Sequence, residues 1–134
     1  MRIVAVIFGL YAISWGLAPY TDYNLLARLI LDISDWPIDR YSSPLDKNTM
    51  WLSSIGAGLL GAFSVVLASI VAPAIKSNNT AIINSTIIAM LVWYIIDSGG
   101  SIAADVVSNV LFNTIYLLLV LTPLICIKSH NKGV

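Results

Sequence analysis

Residues 97–113, DSGGSIAADVVSNVLFN, interrupt an otherwise apolar half of the chain: two aspartates, a double glycine and two asparagines four residues apart stand between the uncharged runs 77–96 and 106–127. Runs of that length are close to the roughly 20 residues a helix needs to cross a ~30 Å hydrocarbon layer. Towards the N-terminus, charges mark off two more, 48–75 between Lys47 and Lys76 and 3–21 between Arg2 and Asp22. The reading is all-α: a four-transmembrane-helix bundle, one integral membrane domain over 1–134, with spans at about 3–20, 50–75, 78–97 and 104–127 and an outer loop at 21–49. In that frame 97–113 is first of all a bend, with Gly99 and Gly100 supplying the left-handed backbone that ends the third span and Ser101 capping the fourth.

Composition agrees. The chain is 58% hydrophobic and 10% charged, with a mean hydropathy of +0.88, whereas about 25% of residues in soluble domains are charged. The first run has the outline of a signal peptide, Arg2 before an apolar stretch and the small residues Gly16-Leu17-Ala18, but Pro19 is a poor neighbour for cleavage, so the run is expected to be retained as a helix. A single cysteine, Cys126, removes disulfide exchange between paired thiols. The one histidine, His130, lies in the polar tail, and there is no glutamate. Bis-histidine haem ligation and histidine-rich metal binding therefore lack ligands, and no histidine stands beside a candidate nucleophile. The expectation is a chain with no cofactor, no metal and no catalytic residue.

The threading follows from charge. With four spans, the termini and the 76–80 turn share one side, and the 21–49 connection and the 97–105 turn share the other. All seven acids (Asp22, Asp32, Asp35, Asp39, Asp46, Asp97 and Asp105) fall on the second side with Arg28, Arg40 and Lys47, while Arg2, Lys76, Lys128 and Lys132 occupy the first. The excess of basic residues places both termini in the cytoplasm, across a bacterial inner membrane. Trp15, Trp51 and Trp93 then lie just inside the outer boundary, and an aromatic girdle accounts for them without a ligand cage.

In the outer connection, DYNLLARLILDIS (22–34) puts Leu26, Leu29, Ile30 and Ile33 on one side of a helical wheel, which predicts a short amphipathic surface helix over 23–33. Pro37 and Pro44 break helical pattern beyond it. Asp32, Asp35 and Asp39 do not have the spacing of a calcium loop, and Arg28 and Arg40 are near enough to neutralise them.

Two features bear on packing and function. The second span contains SSIGAGLLGAFS (53–64), with two adjacent small-residue tracks, Ser54–Gly58–Ala62 and Ser53–Ala57–Gly61, of the kind that lets helices approach closely in lipid. Ser54, Gly58, Gly61 and Ala62 are the expected packing residues. The fourth span carries Asp105, Asn109 and Asn113 at intervals of four, with Tyr116 close to one turn further on: a polar line that must face the bundle or a partner. Asp97, expected at the negative end of the third helix, calls for a cation, and Arg40 is the first candidate.

The pairing of WLSSIGAGLLGAF (51–63) with DSGGSIAADVVSNVLFN before a proline-containing fourth helix resembles small four-helix bacterial membrane proteins of uncharacterised function, a resemblance that implies a fold but no activity or site residue. The chain lacks the mid-helix acid of the small multidrug exporters and the phenylalanine-rich polar signature of the dual-topology fluoride channels. Two roles are expected to compete: a non-catalytic accessory or assembly subunit, whose partners are lipid and other membrane subunits or itself and not nucleic acid, and a small homo-oligomeric channel or transporter that uses the polar line of the fourth span.

Overall fold

The computed structural model of the chain describes residues 1–17, 25–38 and 45–130, with side chains throughout except at 25–28, 30 and 127–130. The described residues form five helices: α1 (Arg2–Leu17), α2 (Leu25–Ser34), α3 (Lys47–Lys76), α4 (Thr80–Ala103) and α5 (Ser108–His130). Three of them, α3, α4 and α5 through Cys126, are long and apolar enough to cross a membrane, whereas α1 is a shorter apolar helix of 16 residues.

Sequence chemistry explains where these helices start and stop. Asp46 caps α3: one carboxylate oxygen accepts the Asn48 and Thr49 N–H groups at 2.7 and 2.9 Å, and the other accepts the Thr49 hydroxyl at 2.6 Å. These bonds hold the carboxyl below the usual carboxylate range, the Thr49 hydroxyl contributing most. Near its far end α3 widens into a π-helical turn at Leu67–Val71, just before Pro73. Proline has no N–H to donate, and its ring crowds the preceding turn, so a wider turn relieves the helix without breaking it. Asn78, at φ 52°, then takes the left-handed position that closes α3, and the Asn79 side chain caps α4 through the Ile82 N–H at 3.2 Å.

The end of α4 differs from the sequence expectation. Gly99 and Gly100 lie inside the helix, which runs to Ala103, and the left-handed residue is Asp105 at φ 63°. The Val106 N–H reaches back to the Ser101 carbonyl at 2.8 Å and the Asp105 N–H to that of Ile102 at 3.1 Å, a Schellman closure. Each glycine weakens a helix by about 1 kcal/mol relative to alanine, but α4 is held by side-chain bonds to α5 on either side of the pair, and aspartate tolerates the left-handed region. The boundary between the third and fourth long helices is thus 104–107, and Ser101 is an interior residue of α4, not a cap.

α1 and α3 pack antiparallel through small residues. A Cβ on Gly16 would meet Ala57 at 3.2 Å, one on Gly61 would meet Ala12 at 3.7 Å, and one on Gly9 would meet the Ser64 hydroxyl at 3.3 Å. Steps of four and three down one helix thus match the same steps up the other. Ser53 and Ala57 are buried here, whereas Gly58 and Ala62 are exposed, with nothing within 4 Å of a Cβ at Gly58. Of the two small-residue tracks, Ser53–Ala57–Gly61 makes the contact with α1, and Gly58 and Ala62 lie on the exposed side of α3. Gly9, Ala12 and Gly16 form the stripe on α1 that completes the seam.

The core joins all four long helices: Phe8 of α1, Leu67 and Val71 of α3, Ile83 and Met90 of α4, and Val120 and Leu124 of α5. The π-helical turn therefore supplies two of the most deeply buried side chains. Beside it an open, largely apolar cleft of about 330 Å³ separates α3 from the first half of α4, with Phe63, Ile70, Ile82 and Ser85 in its walls. α2 packs against α1 and α5 at the end where α3 begins.

Candidate functional site

Three of the polar residues singled out in the sequence, Asp97, Asn109 and Asn113, meet along the seam between α4 and α5. Asn109 Nδ2 donates to Ser101 Oγ at 2.9 Å and to Asp97 Oδ1 at 3.3 Å. One turn deeper, Asn113 Nδ2 donates to Ser98 Oγ at 3.3 Å, with both residues buried. The Tyr94 and Thr114 hydroxyls are 3.0 Å apart, and Thr114 also bonds back to the Val110 carbonyl at 2.8 Å. The Ser101 hydroxyl closes the upper end by donating to the Asp97 carbonyl at 2.8 Å. Residue numbers fall on α4 as they rise on α5, so this is an antiparallel ladder in which each amide on α5 finds oxygen on α4.

Each candidate residue has a definite place relative to this ladder. Asn109 and Asn113 are its donors. Asp105 is not on the α5 face: it sits in the turn before Ser108, exposed, which removes it from the line drawn through positions 105, 109 and 113. Tyr116 belongs to an aromatic cluster instead, its ring 5.6 Å from Phe8 in an edge-to-face arrangement and 5.9 Å from Tyr11. Asp97 lies six residues before the end of α4 and so not at its negative pole; among the described residues its carboxylate accepts from Asn109 and Ser101. Arg40, its expected cation, lies outside the described residues, as do Asp39 and Tyr41.

Sequence reasoning did not place Ser98, Ser101, Tyr94 and Thr114 in this seam. They were legible as positions on α4 and α5 but carried no spacing signal, because a cross-helix ladder depends on the register between two helices. A second contact ties α2 to the top of α5: the Ser108 hydroxyl donates to the Ser34 carbonyl and accepts the Trp36 N–H at 3.1 Å. On α2 Asp32 is buried and Leu29 is exposed. Among the described residues no group of three or more histidine, cysteine or acidic side chains is placed to hold a metal ion.

Chemically, the seam can hold two helices together and can present one carboxylate, Asp97. Comparison of the chain with family models, curated proteins and solved structures finds no match.

Proposed function

We propose that the chain is a four-span membrane protein acting as a non-catalytic accessory or assembly subunit of a larger membrane complex. The observation that carries this reading is the ladder itself: Asn109 and Asn113 satisfy their donors on Asp97, Ser101 and Ser98 of the same chain. In lipid, polar side chains that pair across two helices act as adhesive. A conducting path would instead require polar groups left open to water or to a passing solute.

α1 is read as the fourth span. It is apolar around its whole circumference: Ala5, Phe8 and Ala12 face inward, and Ile3, Val6, Leu10, Ile13 and Leu17 are exposed. A helix that is apolar on every side belongs in hydrocarbon. Its antiparallel register with α3 supports the same side for the N-terminus and the end of α5. The asymmetric charge of the connections supports a cytoplasmic location for both, in a bacterial inner membrane, with α2 lying at the outer face over the α1–α5 end of the bundle.

Purification in a mild detergent tests the role. Recovery of the chain in stable stoichiometric association with a larger membrane complex is the expected result. A symmetric homo-oligomer that passes ions or small solutes in reconstituted vesicles would overturn it in favour of the channel.

A further inference from the structure

The Ser108 contact sets the height of an exposed apolar tip. The backbone N–H of Trp36 is bonded to the hydroxyl of the first residue of α5, and Leu111, 63% exposed, begins the apolar outer face of α5 only one turn further along, about 4.5 Å by helical rise. Trp36 is 67% exposed and Ile38 50% exposed, and Val107, beside Ser108, is exposed too. Along α5 the exposed apolar residues go on through Leu111, Ile115 and Leu118. The same end of the bundle carries the exposed polar groups Asp46, Lys47 and Asp105. An indole with an apolar body and one N–H donor, at a level where apolar belt gives way to charge, matches the headgroup layer of a bilayer and neither bulk water nor hydrocarbon.

We infer that Trp36 and Ile38 form an interfacial anchor that seats the segment after α2 in the headgroup layer of the membrane, with Ser108 as the latch that holds it at that depth. The anchor gives α2 a fixed position over the bundle although the helix itself turns Asp32 inward and Leu29 outward. The occupant of the patch is lipid: the Trp36 backbone is bonded to the first residue of a helix long and apolar enough to cross a membrane, so a layer that covers Leu111 one turn along reaches the level of Trp36.

This inference rests on the reading that α5 crosses the bilayer, and the test separates the two. The full chain and its Trp36→Phe variant are reconstituted in phospholipid vesicles, and the difference between their fluorescence spectra isolates Trp36. Trp36→Tyr, which also removes the indole, provides a second subtraction. Vesicles contain lipid brominated either near the headgroup end or near the methyl end of the acyl chain. The expected result is a Trp36 emission blue-shifted from that of tryptophan in water, with most of its intensity lost to the shallow bromines and much less to the deep ones. Leu118→Trp in the Trp36→Phe background serves as the reference for α5 and should be quenched most by the deep bromines. Quenching of the Leu118 reference with a water-like, unquenched Trp36 would overturn the anchor and leave the span intact. Absence of quenching at both positions would overturn both readings.

Discussion

At the scale of single residues, small changes of position decide which side chains matter. Gly61 and Gly58 lie in the same glycine-rich stretch three residues apart, yet only Gly61 has a neighbouring helix within reach, Ala12 at 3.7 Å from a Cβ. Gly61→Leu should separate α1 from α3 and destabilise the fold by about 1–3 kcal/mol, the usual range for overpacking. Gly58→Leu should leave the thermal stability of the isolated chain unchanged, since nothing lies within 4 Å. Comparing the two melting curves in one detergent checks both, and equal losses would show that the α1–α3 register is wrong. Asp46 offers a second test, by pH. Its folded-state pKa is lowered, first by the Thr49 hydroxyl and then by backbone N–H groups. The capping contribution is therefore complete above the unfolded carboxylate pKa, about 3.9, and disappears as pH falls through the still lower folded value. Hydrogen exchange at the Asn48 and Thr49 amides, corrected for intrinsic rates, should accelerate over that acid window. In Asp46→Asn, which keeps an accepting oxygen without titrating, the acceleration should vanish.

At the scale of elements, the ladder between α4 and α5 accounts for a helix that ignores its own stop signal. Gly99-Gly100 reads as a terminator because glycine readily adopts left-handed backbone and weakens helices, but Asn109 and Asn113 pair with Asp97, Ser101 and Ser98 on both sides of the glycines and offset that local preference. Locating the long apolar helices needed only the spacing of charges, so their existence was legible from composition. Their partners were not, since the choice between Gly58 and Ala57 as the packing track, and between Asp105 and Ser98 as members of the polar seam, depends on the rotation of one helix against another. The seam's energy can be isolated by a double-mutant cycle on Asn113→Leu and Ser98→Ala. Interhelical hydrogen bonds in membranes average about 0.6 kcal/mol and reach ~1.7 kcal/mol, so a coupling in that range is expected from equilibrium unfolding in mixed micelles. Coupling near zero would mean that the 3.3 Å contact contributes nothing to pairing.

At the scale of the whole molecule, the open question is whether three helices cross the bilayer or four. α1 has 16 residues, about 24 Å of helix, against a hydrocarbon thickness near 30 Å; a short span of this kind is accommodated by local thinning of the bilayer or by flanking residues reaching to the interface. What argues for a span is its partner. Gly9, Ala12 and Gly16 lie along Ser64, Gly61 and Ala57, residues in the apolar middle of α3, and a helix held antiparallel along a membrane-crossing helix has to enter the same layer. Its exposed stripe of Ile3, Val6, Leu10, Ile13 and Leu17 would otherwise face water, an apolar surface that soluble chains avoid. The consequence concerns the ends of the chain. Three spans with α1 outside the layer would put Met1 on the side where α3 begins, opposite the end of α5. Four spans put Met1 with the end of α5, across the membrane from Lys47. In a Cys126→Ser background, single cysteines at Arg2, Lys47 and Ser77 should divide, under a membrane-impermeant thiol reagent applied to sealed inside-out and right-side-out vesicles, into Arg2 with Ser77 on one side and Lys47 alone on the other. Labelling of Arg2→Cys together with Lys47→Cys would remove α1 from the bilayer, and with it the four-span reading on which the shared side of the termini depends.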